Sequence, residues 1–422
     1  MSGFDEIDFF TDQSLVDDPY PYFEYLRSRG PVCREPHHGV VAVTGYDEAA
    51  EVFRNSAVFS SCNSVTGPFP GLPFEPEGDD IGALIERFRD QFPLSEYLVT
   101  FDAPRHTAHR ELLRRLFTPG RLRENEAFMW RLADRQIDEF IEAGKVELLS
   151  EYAKPFALLV IADLLGVPQD YHETFRIRMG ARRPGALVRE QALSGNPMLY
   201  MERQFTEFVE DRRRRPRDDV LTALATATFP DGSLPEVIDV VRVATLLFAA
   251  GQETTTRLLC AALAILAEDP ALQRLLRCDR TRIPAFVEET LRMESPVKAD
   301  FRLARTSTTL GGVSIPAGTT VMVLTGAVNR DPARFECPGQ FRADRPHVRE
   351  HMSFGRGAHS CPGGALARVE ARVSIERLLD RMADIRVCAA EHGPAGARRF
   401  AYEPTYVLRG VTALHLEYTA VA

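Results

Sequence analysis

No two cysteines in this chain of 422 residues stand in a CxxC pair. The seven, at positions 33, 62, 260, 278, 337, 361 and 388, are odd in number and scattered. That pattern argues against a disulfide framework or a zinc site and suits a reducing cytoplasm. An excess of basic charge is also missing. Asp and Glu number 60 against 51 Lys and Arg, a net charge of −9, which argues against nucleic acid as a general partner. The longest apolar stretch, Val240 to Leu266, is interrupted by Arg242, Gln252, Glu253 and Arg257, so no membrane span is expected. The opening run Met1-Ser2-Gly3-Phe4-Asp5-Glu6 is acidic and has no apolar h-region, so no targeting leader is expected. Internal repeats and low-complexity linkers are absent as well, and a single catalytic domain over residues 1–422 is the expectation.

What the chain does have is enough apolar residue, 45%, for a sizeable core. Residues 18–28 read as a helix begun by proline. Val40–Thr44 is β-rich, and Asp47–Arg54 is helical. From Cys62 to Pro93 the chain is rich in Pro, Gly and Phe, with a short helical piece near Ala83–Arg89; the long loop over 62–96 reads as a mobile lid. Helical patterns dominate from Pro104 to Met293. Strands and turns follow over Phe301–Leu324, then a turn-rich meander over 329–350, a glycine-rich loop, a helix to about Met382 and a β-rich tail. The expected class is mainly α with a smaller β region. The basic run Arg212–Arg217 reads as a solvated helix end.

The most informative stretch is Phe354-Gly355-Arg356-Gly357-Ala358-His359-Ser360-Cys361-Pro362-Gly363. Two glycines bend the chain before Cys361, a third follows it, and a helix-prone segment starts at Gly364. The sulfur is thereby placed at a helix N-terminus, where backbone N–H groups and the dipole favour a thiolate. Such a thiolate can be a nucleophile, a redox thiol or a metal ligand.

A second feature lies in a helix predicted from Leu234 to Glu268. Near its middle stands Ala250-Gly251-Gln252-Glu253-Thr254-Thr255. Glycine inside a helix costs about 1 kcal/mol against alanine, so a functional reason is worth seeking: Gly251 leaves room for a small ligand. Thr254 is four residues after Ala250, so its hydroxyl can bond that carbonyl. Val243, Leu246, Leu247 and Ala250 share one helix face.

Together these stretches resemble the cytochrome P450 family, of the soluble bacterial type. The family's haem loop reads Phe-x-x-Gly-x-x-x-Cys-x-Gly, and Phe354, Gly357, Cys361 and Gly363 fill it. Its oxygen groove reads Ala-Gly-x-Asp/Glu-Thr, matched by Ala250, Gly251, Glu253 and Thr254. Its Glu-x-x-Arg pair is Glu289 and Arg292, with Arg345 as the meander's partner. Its His-x-x-x-Arg propionate clamp is His106 and Arg110, joined by Arg302 and His359.

The resemblance implies haem b (iron protoporphyrin IX) between a long central helix and the cysteine-loop helix, with Cys361 as the iron ligand. It implies Thr254 and Glu253 in proton delivery, and an oxidoreductase acting on paired donors with incorporation of O2. Electrons from NAD(P)H through ferredoxin and ferredoxin reductase, a cytoplasmic monomer and an apolar substrate (terpene, steroid, fatty acid or aromatic) complete the expectation. Arg114, Arg115 and Arg356 are candidates for a ferredoxin-facing patch.

Phe69, Phe74, Leu94, Leu98, Val297, Ala299, Tyr406 and Val407 are candidate substrate-lining residues. Lys298 reads as a surface residue. Two rival readings stay open: an H2O2-driven peroxygenase, against which Glu253-Thr254 argues, and a non-catalytic haem-binding sensor. Two positions depart from the family. Ala103 stands where proline is common, with no consequence for chemistry. Pro362 stands where Leu or Ile is commoner and removes an N–H beside the sulfur.

Overall fold

The computed structural model describes residues 3–113, 116–171 and 198–421. Helices form the larger part, and a five-stranded sheet lies to one side. Helix α1 (Tyr20–Ser28) starts directly after Pro19, whose ring fixes the φ that a first turn needs. Strands β1 (Val32–Arg34) and β2 (Val41–Val43) pair antiparallel, and α2 (Tyr46–Arg54) follows. The sheet is completed by β3 (Phe59–Ser60), β5 (Asp300–Ala304) and β8 (Thr320–Val323), in the order β1-β2-β8-β5-β3. A hairpin of β6 (Thr308–Leu310) and β7 (Val313–Ile315) is separate from it. Within the 62–96 segment the regular structure is the helix Gly82–Arg87 and a 3-10 turn, Arg89–Gln91.

The helical body contains α3 (Arg105–Leu112), α4 (Pro119–Asp138), α5 (Lys154–Leu164), α6 (Leu199–Arg214), α7 (Val237–Glu268), α8 (Ile283–Glu294) and α9 (Gly364–Arg381). One strand interrupts the region read as wholly helical. β4 (Lys145–Glu147) pairs with β10 (His415–Ala420), which also holds β9 (Met382–Val387). Its three residues carry too little pattern to show in the sequence; the partner supplying its hydrogen bonds is more than 250 residues away.

The central helix α7 has 32 residues and is roughly 48 Å long at ~1.5 Å per residue. It begins three residues later than Leu234, because Pro235 and the extended Glu236 lie outside the first turn. It packs on α5, α6, α8 and α9, in the main hydrophobic core. The faces of α7 and α9 that meet thus set Thr254 near the loop that carries Cys361.

Two surface expectations are corrected. Arg212 is buried, and donates to Asp219 at 2.9 Å and to the Gly166 carbonyl at 3.1 Å. Arg213 donates to the carbonyls of Ala225 and Pro235 at 3.0 and 2.7 Å. The start of the basic run therefore stitches α6 to the segment leading into α7 rather than standing in solvent. Lys298 is 3% exposed, inside the protein and not on its surface.

Candidate functional site

Cys361 is placed by its loop. Its N–H donates to the Phe354 carbonyl at 2.8 Å, which folds the run from 354 to 361 back on itself. Gly355 and Gly357 both have positive φ. At Gly357 a Cβ would stand 2.3 Å from the Phe53 carbonyl oxygen, so only glycine allows the loop to lie against α2. Arg356 turns inward to the Tyr46 hydroxyl and the Glu350 carbonyl. It fastens the loop and is not a free surface cation. Arg114 and Arg115, read with it, lie outside the described residues.

The Glu-x-x-Arg pair lies beneath this loop. Glu289 accepts from Arg292 at 2.8 Å through both oxygens, and both side chains are 0% exposed. Arg345 donates to the same carboxylate at 2.9 and 3.0 Å, and the Arg342 N–H adds a fourth contact at 2.9 Å. Arg292 also donates to the carbonyls of Asn329, Pro338 and Gln340. The meander is thus held by charge-assisted hydrogen bonds, whose geometric specificity sets its register.

A neighbouring cluster escaped the sequence reading. Glu288 accepts from His351 at 2.9 Å and from Arg368 at 2.6 and 3.0 Å. Despite burial, these two partners draw its carboxyl down to about 2. The Arg368 guanidinium stands 4.5 Å over the Phe354 ring, so α8 braces the cysteine loop through α9. A glutamate directly before Glu289 was the available signal.

A cavity of about 180 Å³ opens above the loop. Cys361, Phe354, Gly355 and His359 form part of its wall, and Thr254, Thr255 and Leu258 of α7 form another. Pro296, Val297, Asp300 and Thr325 also border it. Of the candidate substrate-lining residues, Val297 is here. Ala299 and Tyr406 sit instead in the core around Phe10 and Phe301, and Leu98 in the main core. Val243 and Leu247 likewise belong to the main core.

The Thr254 hydroxyl donates to the Ala250 carbonyl at 3.0 Å, as its spacing requires. Glu253 accepts from Arg257 at 3.0 Å, one turn on. The missing Cβ of Gly251 faces Ile161 of α5 at 3.4 Å, an ordinary contact, so its space adjoins α5. Although Cys361 is exposed to the cavity, the protein crowded around its sulfur pushes the thiol up, and the N–H groups of Gly363 and Gly364 and the guanidiniums of Arg110 and Arg368 draw it only part of the way back. The helix end alone therefore does not make the thiolate; a metal cation on the sulfur would.

Basic groups gather at the same loop. The rings of His106 and His359 are 3.8 Å apart, Arg110 donates to the Ser360 carbonyl, and Arg302 reaches Asp300 at 2.7 Å. His106 is brought there by the turn at Asp102, whose carboxylate takes the Ser61 N–H at 2.9 Å and whose carbonyl takes the His106 N–H at 2.8 Å. Burial and the nearby Arg110 lower His106 to about 4, and burial with Arg302 and His106 lowers His359 to about 2. Two guanidiniums and two imidazoles therefore gather beside the cysteine loop, with His359 on the cavity wall and Asp300 as the carboxylate beside Arg302. A dianionic group fits such a donor set, and a soft thiol facing it fits iron.

A family model described as Cytochrome P450 matches residues 196–383. Cytochrome P450 144 of Mycobacterium tuberculosis is 35% identical over 413 residues, covering 95% of this chain and 89% of the relative. The cytochrome P450 monooxygenase PikC of Streptomyces venezuelae is 31% identical, covering 96% and 92%. Substrate-free CYP150A6 of Mycobacterium marinum is 60% identical, with a TM-score of 0.94 over 100% of both chains. CYP109E1 of Bacillus megaterium, solved with corticosterone, is 26% identical, with a TM-score of 0.80 over 96% of this chain and 100% of that one.

The chain belongs to the cytochrome P450 family. It is a cytochrome P450 monooxygenase whose cofactor is haem iron, with the P450 fold expected from its motifs. Among the described residues no helix is long and apolar enough to cross a membrane.

Proposed function

We propose that this enzyme inserts one atom of O2 into a C–H or C=C bond of an apolar small molecule, with electrons from NAD(P)H passed through ferredoxin reductase and ferredoxin. The observation that carries this reading is that Cys361 and Thr254 border one cavity, lined elsewhere by Leu258, Leu291, Pro296 and Val297. Cys361 ligates the iron. His106, Arg110, Arg302 and His359 hold the two propionates, whose charge offsets the crowding of basic groups. Phe354 and Gly357 shape the loop, and Ala250 and Gly251 form the oxygen groove. When bound, the haem supplies thiolate-assisted O–O cleavage.

The protein's own part is to orient and to manage protons. Thr254 places a hydroxyl at the cavity edge. Glu253, half-exposed and paired with Arg257, connects that hydroxyl to solvent when the pair opens. The apolar wall excludes water from the reacting bond.

For the substrate, a terpene, steroid, fatty acid or aromatic fits this wall. Steroids are supported by the CYP109E1 complexes with corticosterone and testosterone. A fatty acyl chain is supported by P450BioI, solved with acyl carrier protein ligated to hexadec-9Z-enoic acid. We place the enzyme in the cytoplasm as a monomeric, single catalytic domain, in keeping with its scattered free thiols.

The test is a carbon monoxide difference spectrum of the dithionite-reduced protein. The red-shifted Soret band of a thiolate-ligated ferrous complex, lost in Cys361→Ala, is the expected result. A haem spectrum without that shift would overturn the assignment of Cys361.

A further inference from the structure

Lys298 belongs to the segment that walls the cavity, between Val297 and Asp300, which both border it. Its backbone is fixed on two sides. The N–H donates to the Val407 carbonyl at 2.8 Å, and the carbonyl accepts from the Gly326 N–H at 3.1 Å. The residue is 3% exposed. Two charged groups act on its amine, the guanidiniums of Arg409 and Arg257. Arg257 stands in the stretch of α7 whose Thr254, Thr255 and Leu258 border the cavity. The amine therefore lies towards that part of the wall, at the end of a flexible stem.

Both guanidiniums already have anions. Arg257 donates to Glu253 at 3.0 Å. Arg409 donates to Glu294 at 3.0 Å and to the carbonyls of Val16 and Asp17 at 3.4 and 3.0 Å. Asp300, on the same strand as Lys298's neighbours, is taken by Arg302 at 2.7 Å. No carboxylate acts on the amine, and among the described residues it enters no ion pair or hydrogen bond. Burial, Arg409 and Arg257 lower it from 10.5 to about 7. A lone buried cation is costly, and an apolar side chain of the same length would fill this space without that cost. The site has one positive charge to offer and no protein anion to receive it.

We propose that Lys298 binds the carboxylate of a carboxylic acid substrate and so sets which end of the molecule faces Cys361. This rests on the monooxygenase reading above and narrows its apolar substrate to an apolar acid. One unmatched cation suits a monoanion; a phosphate monoester would bring a second negative charge with no cation left for it. With the carboxylate held at Lys298, the apolar remainder lies along Leu258, Leu291, Pro296 and Val297. Oxygen then enters at a carbon remote from the carboxyl group. Above pH 7 the free amine is neutral, so each acid that binds draws one proton from solvent to make the ammonium that pairs with it.

The test titrates the full-length, haem-loaded protein with three acids and their methyl esters: dodecanoic acid, 4-butylbenzoic acid and abietic acid. Binding is read from the spin-state shift and by calorimetry. At pH 6 an acid is expected to bind more tightly than its ester by on the order of tenfold to a hundredfold. Above pH 7 the acid's affinity is expected to fall about tenfold per pH unit, while the ester's stays level. Calorimetry at pH 8, in buffers of different ionisation enthalpy, is expected to find about one proton taken up with the acid and none with the ester. Lys298→Met is expected to lose the acid preference, the pH dependence and the proton uptake, and to keep the red-shifted carbon monoxide band.

Acids that bind no more tightly than their esters in all three pairs overturn the proposal. So does a preference with proton uptake that persists in Lys298→Met. Should that variant not fold, the parent decides alone: acid binding without proton uptake at pH 8 overturns it. A parent without the red-shifted carbon monoxide band would sink the monooxygenase reading instead, and calorimetry would still report whether an acid binds with uptake of a proton.

Discussion

The imidazoles of His106 and His359 lie 3.8 Å apart, centroid to centroid, with Arg110 and Arg302 opposing the protonation of both. The two residues stand 253 positions apart in the chain, yet their rings are in contact. The pH dependence follows from His106. Its usual value of 6.5 is lowered to about 4, by burial first and Arg110 second. Between those limits the unfolded chain binds more protons than the folded one, so stability is lost as pH falls. The haem-free protein should therefore unfold at lower urea as pH drops from 6.5 towards 4, and His106→Asn should flatten that slope. Haem binding should flatten it too, since propionates favour the imidazolium. A slope unchanged in His106→Asn would show that other groups control it.

Glu289 offers a contrast with Glu253. Both pair with arginine on their own helix, at 2.8 and 3.0 Å respectively. Glu289→Gln would leave Arg292 and Arg345 buried without their anion, a loss of about 3–5 kcal/mol. Glu253→Gln breaks a partly exposed i,i+4 pair worth about 0.3–0.5 kcal/mol. Chemical denaturation should separate the two by that margin. The second variant should fold normally and lose turnover, whereas the first should lose haem along with its fold. Equal destabilisation would mean that the buried network is not what registers the meander.

The difference between local and distant information explains what the sequence revealed. His106 with Arg110, and Glu289 with Arg292, sit one turn apart on single helices, so their spacing alone puts each pair on one face. The cysteine loop was legible because positive φ at Gly355 and Gly357 demands residues that stand out in any sequence. The direction of the missing Cβ at Gly251 was not legible, because Ile161 belongs to another helix. The burial of Glu370, 1% exposed on α9, was not legible for a related reason. A glutamate in Arg368-Val369-Glu370-Ala371 looks like a solvated helix position until α7 is laid across it. The thiol of Cys361 shows the limit of arguing from a helix dipole: loss of solvation by the surrounding protein outweighs it.

Lys298 is the clearest reversal, and it carries its own prediction. Burial, with Arg409 and Arg257 nearby, lowers its amine from 10.5 to about 7. The unfolded chain binds more protons between those values, so this residue's contribution to stability grows as pH rises from 7 to 10.5 and is smallest below 7. Lys298→Met keeps the apolar stem and removes the amine. It should raise the thermal midpoint at neutral pH, with the gain shrinking towards alkaline pH. A midpoint that falls in the variant would mean that the amine has a partner worth more than its burial costs.

With Cys361 as the proposed iron ligand, Pro362 should bear on the iron rather than on folding. The sulfur of Cys361 is approached by the N–H groups of Gly363 and Gly364, whereas the nitrogen of Pro362 has no hydrogen to offer. Each N–H directed at a thiolate stabilises its negative charge and withdraws electron density from the metal it binds. A loop with one donor fewer should hold a more electron-rich thiolate and give the iron a lower reduction potential. Pro362→Leu restores the N–H. A differential effect of about 1 kcal/mol between the two iron oxidation states corresponds to roughly 40 mV for one electron. Spectroelectrochemical titration should therefore find the variant's potential higher by tens of millivolts, with the red-shifted carbon monoxide band retained. A potential equal to or below the parent's would show that the residue after the cysteine does not set the sulfur's electron density here, and that the two glycine N–H groups already saturate it.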